Sequence, residues 1–299
     1  MILFLTDGNQ IRGDLIVSAV LRSDLSPIPL TLEADIRAGD ETMDAQLAEG
    51  KCLTTAADER LFIVKSVKVR NREVQGDREQ VVFRITALLE ACLPVAYVRD
   101  RAIIKEGATL SAIYRAAGAT LKGVVSDFPV PRFYCPVGET PSFHVARILQ
   151  EEGGAVRWKG GKLHFMTLKD MAAQEPVIVL PSAGTERTES GFLERHQAPW
   201  FFSLNDAGGF VFGNRSKPRS VRYSPFKTEG RLRNMTRCLI QRRTAKTKYD
   251  QTLCAGDLVA FDDGSRMIVV TVAHVFKTGS DSGGGMDAYS RLWLGEVEE

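Results

Sequence analysis

The sequence is poor in the residues that would make a chain fibrous, membrane-spanning or disulfide-stapled. Cysteine is scarce, with five in 299 residues (Cys52, Cys92, Cys135, Cys238 and Cys254), an odd number with no Cys-x-x-Cys pair. That argues against a disulfide framework and a cysteine zinc site, and leaves reduced thiols acting as small apolar groups. No apolar stretch approaches the roughly 18 residues of a spanning helix. The longest, Met267 to Phe276, is broken by Thr271 and His274. The opening Met-Ile-Leu-Phe-Leu-Thr-Asp-Gly has no basic lead and too short an apolar run for a signal peptide, so an intracellular product is expected.

Catalytic signatures are missing as well. There is no G-x-x-x-x-G-K-[ST] loop, G-x-S-x-G elbow, H-E-x-x-H pair or G-x-G-x-x-G turn. His144, His164 and His196 stand alone, without the spacing of shared metal ligands. Thr271-Val-Ala-His274 followed by Ser280-Asp-Ser-Gly-Gly284 superficially suggests a serine protease. Only eight residues separate His274 from Ser282, however, too few for a base and nucleophile brought from two barrels. A packed, hydrogen-bonded histidine is the expected role of His274. Acid pairs such as Glu151-Glu152 and Asp262-Asp263 fall at a helix end and a turn, where solvated carboxylates are ordinary. No cofactor and no metal is implied, and the chain is not expected to be an enzyme.

What is present is an ordinary globular composition, 44% apolar and 25% charged, which excludes disorder, collagen and coiled coil. A chain of this length buries about three quarters of its unfolded surface, enough for two or three cores. Charge is uneven behind a formal net of +2. From Asn214 to Lys248 there are twelve Lys or Arg against Glu229 alone, a local +11, while the remainder carries 27 basic and 36 acidic residues, −9. Such a block marks a nucleic-acid footprint, an acidic protein partner or a solvated face. Its aromatics are only Tyr223 and Phe226, a poor base-stacking platform, so protein contact or solvation is favoured.

Along the chain, Leu30, Leu32, Ala34 and Ile36 alternate with polar residues at the period of a half-buried strand, and Leu61–Arg70 and Val81–Leu88 are two more β-rich runs. From about Pro94 the pattern turns helical. Thr109 should cap a helix carrying Leu110, Ile113, Tyr114 and Ala117, stopped by Gly118. Thr140 and Pro141 should open a second helix, striped by Phe143, Ala146 and Leu149 and ended by Gly153-Gly154. Gly160-Gly161 between two alternating runs predicts a hairpin. Residues 175–194 read as a connector, after which strands over 258–261, 267–276 and 288–297 form a meander.

Three features together resemble the hub proteins of contractile phage tails, the late-control-D family, similar to the hub part of the type VI secretion spike protein VgrG and to hubs of tail-like bacteriocins. They are the helix Thr140 to Gly154 with its "L-x-x-E-G"-like end and following hairpin, the ending Ala255-Gly-Asp257 … Met267 to His274 … Tyr289-Ser-Arg-Leu292, and the order strands, α/β unit, strands. Leu292-Trp293 departs from the phenylalanine usual there. The resemblance implies an α+β, mainly β fold with two tube-like antiparallel β-barrels, 1–93 and 181–299, flanking a helix-plus-hairpin unit, 94–180. It further implies a homotrimer that adapts the sixfold tail tube to the threefold central spike, assembled in the bacterial cytoplasm and carried in a virion or tail-like particle. Partners would be the tube protein, the spike protein and other baseplate proteins, with the tape measure protein a further candidate; no membrane is involved, and nucleic acid enters only as passing cargo. The candidate contacts are Arg215, Lys217, Arg219, Arg222, Arg231, Arg233, Arg237, Arg242 and Arg243. The alternatives are nucleic-acid binding through 214–248, and a LysM-like peptidoglycan module suggested by Glu106 to Gly118.

Overall fold

The computed structural model describes residues 1–37, 41–72, 79–188, 199–215, 220–278 and 285–298. The first region supplies β1 (Leu3–Phe4), β2 (Ile16–Asp24), β3 (Leu30–Arg37), α1 (Glu41–Gln46), β4 (Cys52–Thr55), β5 (Arg60–Arg72) and β6 (Glu79–Leu89). The period-two pattern holds in β3, where Leu30, Leu32, Ala34 and Ile36 are all buried and their neighbours are not. Their cross-strand neighbours Ala87, Ile85 and Phe83 of β6 are buried on the same face, and removing that one face from water is what fixes the register of these strands.

The middle region holds β7 (Ile103–Thr109), α2 (Leu110–Ala116), β8 (Val124–Val125), β9 (Pro129–Cys135), α3 (Pro141–Glu151), β10 (Gly154–Lys159), β11 (Lys162–Thr167) and α4 (Leu168–Ala172). Thr109 caps α2 as its type predicts, its Oγ1 accepting from the Ala112 N–H at 3.3 Å. Tyr114 of α2 is fully buried and donates its hydroxyl to the Pro27 carbonyl at 3.1 Å, so the helix is bonded to the β2–β3 turn. The β10–β11 hairpin turns through Gly160 and Gly161, both at positive φ (58° and 71°), which a two-residue turn of this hand requires. The double glycine after α3 divides its work: Gly153 reverses the chain at φ 65°, and Gly154 lies where a Cβ would meet the Met166 carbonyl oxygen at 2.3 Å.

Of the expected stripe Phe143, Ala146 and Leu149, only Leu149 faces the core. Helix α3 buries Pro141, Val145, Ile148 and Leu149, whereas Phe143 is 62% exposed and Ala146 is exposed. The buried apolar positions run i, i+4, i+7 and i+8 from Pro141, and Phe143 lies off that stripe, facing outward. Thr140, at the N-cap, makes no side-chain capping bond.

The third region contributes β12 (Ile178–Leu180), β13 (Thr185–Arg187), β14 (Trp200–Leu204), β15 (Phe210–Phe212), β16 (Val221–Tyr223), α5 (Glu229–Thr236), β17 (Cys238–Lys248), β18 (Leu258–Phe261), β19 (Arg266–Lys277) and β20 (Asp287–Glu298). The described part of the expected connector 175–194 is not structureless, since β12 pairs parallel with β18 and β13 antiparallel with β17. Each satisfies backbone groups of a strand that would otherwise be an open edge.

First and third regions share one twelve-stranded sheet, in the order β1-β4-β5-β6-β3-β2-β19-β20-β17-β13, with β18 and then β12 on the other half of β19. Strand β19 is therefore flanked over most of its length: Arg266 to Ile268 pair with β18, Thr271 to Lys277 with β2, and Ile268, Val269 and Thr271 to Lys277 with β20. Consecutive residues, which point to opposite faces, are buried over Met267–Val269 and Val272–Phe276, so both faces are covered there and the strand reads as a continuous apolar run rather than an alternating one. It also passes between cores. Met267, Val269 and Val272 belong to the core of the third region, while Phe276 packs into the larger core that the first and middle regions share.

A buried ion cluster ties the middle region to the third. Asp257, 1% exposed, accepts from Arg157 Nη1 at 2.7 Å, from Lys159 Nζ at 2.8 Å and from the Cys254 N–H at 2.9 Å. Gln174 adds a bond from its amide to the Gly256 carbonyl at 2.7 Å.

Candidate partner-docking surfaces

Folding sorts the basic block into tethered and untethered charges. Arg231 pairs with Glu152 at 2.6 Å, Arg233 with Glu229, Arg242 with Glu296 at 3.8 Å and Arg243 with Asp263 at 3.5 Å; Arg237 donates to Asn234 Oδ1 at 3.0 Å. Arg215 and Arg222 are exposed and pair with no carboxylate among the described residues. Lys217 and Arg219 lie outside the described residues. The block is thus not one patch: Arg242 and Arg243 belong to β17 in the large sheet, while Arg215 to Arg237 belong to an excursion between β13 and β17.

That excursion is seated on the middle region. Lys227 pairs with Glu151 at 2.7 Å, Asn234 Nδ2 donates to the Glu151 carbonyl at 3.1 Å, and Gln150 Nε2 donates to the Met235 carbonyl at 2.8 Å. Cations and an amide donor placed at the C-terminus of α3 meet its unsatisfied carbonyls and the negative end of its dipole. Between α3, β9 and residues 224–231 runs a groove of about 590 Å³. Tyr134, Phe143 and Phe226 are exposed along it, Phe226 at 88% and at a positive φ of 58°. Arg132 and Arg147 line it without a carboxylate partner among the described residues, and His144 is bonded to Glu139.

The sheet β15-β14-β16 carries the feature the sequence reading missed. Pairing sets Phe202 opposite both Phe212 and Tyr223, Leu204 opposite Phe210 and Trp200 opposite Val221, so seven apolar side chains share one face. The Phe202 ring lies 5.2–6.0 Å from those of Phe210, Phe212 and Tyr223, and the Arg215 guanidinium sits 3.2 Å from the centre of Phe212. The other face is covered: Ser203 is fully buried against α5, whose Leu232 and Met235 are buried too. Phe202, Phe210 and Phe212 lie outside the window 214–248, and the fold brings them to Tyr223 inside it. The signal was available in the short alternating runs Trp200 to Leu204 and Phe210 to Phe212.

His274 has the structural role expected of it. Buried in β19, its Nε2 lies 3.1 Å from the Leu253 carbonyl and its Nδ1 2.9 Å from Ser290 Oγ, with Tyr249 edge-on at 6.0 Å. A carbonyl can only accept, so Nε2 carries the proton and Nδ1 accepts from the serine. Burial lowers its pKa below the ordinary imidazole value, opposed by the Leu253 bond and the Asp250 charge. Ser282 and His196 lie outside the described residues. Among the described residues no three His, Cys, Asp or Glu side chains gather as metal ligands, and no helix is long and apolar enough to cross a membrane.

No family model and no curated protein sequence matches this chain. Solved structures do. A tail protein from Neisseria meningitidis MC58 superposes with a TM-score of 0.66 at 13% identity, covering 99% of this chain and 95% of that one. The 43 kDa tail protein of prophage MuSo2 from Shewanella oneidensis gives 0.58 at 14%, covering 98% and 95%. An Escherichia coli component of the type VI secretion system, described as structurally similar to the T4 tail proteins gp27 and gp5, gives 0.53 at 9%, covering 93% and 73%. The chain therefore has the α+β, mainly β, hub-like fold of tail proteins that its motifs resemble.

Proposed function

We propose that the chain is a structural hub, three copies of which join a sixfold tail tube to a threefold spike in a contractile tail or tail-like particle. The observation that carries this reading is that the likeness to tail proteins runs from end to end of the chain rather than through one module. In this reading 1–93 and 181–299 are the two tube-like barrels and 94–180 the unit between them. Three copies of two barrels offer six related faces to the tube, and the threefold axis faces the spike. The work is geometric, done by strand edges and charged rims, with no bond made or broken. Assembly takes place in the bacterial cytoplasm.

Of the basic candidates among the described residues, Arg215 and Arg222 pair with no described carboxylate and are the ones offered to an acidic surface on tube, spike or baseplate, because the other described ones are engaged within the chain. Native mass spectrometry of the purified protein, alone and with the tube and spike proteins, tests the reading. The expected species has three times the chain mass and binds both partners. A monomer that binds neither overturns it. With Arg215→Glu and Arg222→Glu together, the trimer should persist while partner binding weakens at least tenfold.

A further inference from the structure

We propose that the open face of β14–β16 docks a short acidic, amphipathic segment of a partner protein. The inference rests on reading the chain as an assembly component. Trp200, Phe202, Leu204, Phe210, Phe212, Val221 and Tyr223 form this face, with Phe210 at 67%, Val221 at 54%, Tyr223 at 52% and Leu204 at 41% exposure. A contiguous apolar face of this kind marks an interaction site, unlike a lone exposed leucine.

Size selects the occupant. With strands about 4.8 Å apart and about 3.4 Å per residue, the five residues of β14 and three each of β15 and β16 span roughly 180 Å². A stable globular partner or a second copy needs about 800 Å² per side, so the face suits one helix or strand laid across it. Charge selects its sign. Residues 199–237 carry eight Lys or Arg against Asp206 and Glu229, and Arg215, which pairs with no carboxylate among the described residues, holds its guanidinium on Phe212. A carboxylate beside the apolar stripe of the segment would meet that guanidinium, which a ring already holds in place. Single-stranded nucleic acid is disfavoured because, among the described residues, Arg215 alone is stacked on these rings, whereas strand-binding platforms set aromatics in a groove of cations.

The probes are a twelve-residue helical peptide with leucine at i, i+3, i+4 and i+7 and glutamate elsewhere, the same peptide with lysine for glutamate, and a dT12 oligonucleotide. Binding to the full chain is read by fluorescence anisotropy at two salt concentrations. The glutamate peptide should bind, and the lysine peptide at least tenfold more weakly. Phe210→Ser with Tyr223→Ser should weaken binding at least tenfold, and Arg215→Glu should reverse the preference between peptides. These side chains are exposed, so circular dichroism should be unchanged; if it changes, Val221→Thr provides the same test at the rim. Equal binding of both peptides, no binding of the glutamate peptide, or preferential salt-sensitive binding of dT12 overturns the proposal. A chain that is trimeric but binds no peptide refutes the docking face alone, whereas a monomer that meets neither tube nor spike refutes the hub reading.

Discussion

Replacing Asp257 tests the joint between the middle and third regions. Its carboxylate is 1% exposed and the Arg157 side chain 9%, but Lys159 is 40% exposed. Asp257→Ala therefore affects its two cations differently. Lys159 can swing into water, whereas among the described residues Arg157 keeps only Gln174 Oε1, at 3.4 Å. Breaking a buried pair by removing one partner costs about 3–5 kcal/mol, because the remaining charge is left desolvated. Lys159→Met, which leaves the buried pair intact, should cost less than about 1 kcal/mol. Asparagine is not a remedy. Asp257 accepts on both oxygens, from the cations and from the Cys254 N–H. An amide must turn its NH₂ toward one of those donors, so Asp257→Asn should fall within about 1 kcal/mol of the alanine variant.

The double variant Arg157→Met with Asp257→Ala removes the stranded charge. It should be less destabilised than the sum of the single variants by at least about 2 kcal/mol. Urea unfolding followed by far-ultraviolet circular dichroism gives the free energies. Trp158, buried between the two cations in sequence, gives a local fluorescence signal. A loss below about 1 kcal/mol for Asp257→Ala, or an additive double variant, would refute the argument that this cluster holds the two regions together.

Two further perturbations probe other joints. Because burial holds the folded pKa of His274 below its unfolded value, the unfolded chain binds the proton more readily; the contribution is fully present above about pH 6.5 and is lost as pH falls toward the lowered value. Stability measured from pH 8 to 5 should therefore decline more steeply in the parent than in His274→Gln, by up to about 1.4 kcal/mol per pH unit. Burial also raises Asp24 and Glu59, which give the opposite slope at lower pH, but both proteins share it and the difference isolates His274. Identical slopes would place His274 outside the linkage. At the hairpin, Gly154→Ala drives a Cβ to 2.3 Å from the Met166 oxygen and 2.7 Å from the Phe165 ring, whereas Gly160→Ala meets nothing and bears only its φ of 58°. Thermal melts should show Gly154→Ala losing about 3 kcal/mol and Gly160→Ala about 1 kcal/mol; the reverse order would refute the close approach.

Much of the fold was legible because it follows from local chemistry. The alternation in β3, the Thr109 cap, the Gly160-Gly161 turn and the separate strands of the C-terminal meander each depend on a few adjacent residues, and each is present. What failed depended on distant neighbours. Val177-Ile-Val-Leu180 is a short β-branched run inside a segment otherwise rich in Pro, Ser and Gly, and nothing comparable stands at Thr185; both become strands by pairing with β18 and β17, roughly 60–80 residues away. The phase of α3 was lost because Phe143, the largest apolar residue on the helix, points into the groove it shares with Phe226. The "G-D" of the ending was legible as a motif but not as a reason. The reason is Arg157, a hundred residues earlier, whose charge Asp257 buries.

The same distinction decides how the basic block must be tested. A count along the chain gives +11 for 214–248, yet Glu152, Asp263 and Glu296, which lie outside that window, answer Arg231, Arg243 and Arg242. Reversing Arg231, Arg233, Arg242 and Arg243 would place like charges against their own partners, Glu152 and Asp263 among them. It would loosen the α5–α3 contact and the β17 rim before any partner was involved. An assembly defect in that quadruple variant would then report on folding as much as on docking. Reversal at Arg215 and Arg222 disturbs no ion pair among the described residues, so a defect there is a statement about the partner. If only the tethered set mattered to assembly and the untethered pair did not, the block would be a device for seating the excursion on the middle region, and its excess charge would carry no message to another protein.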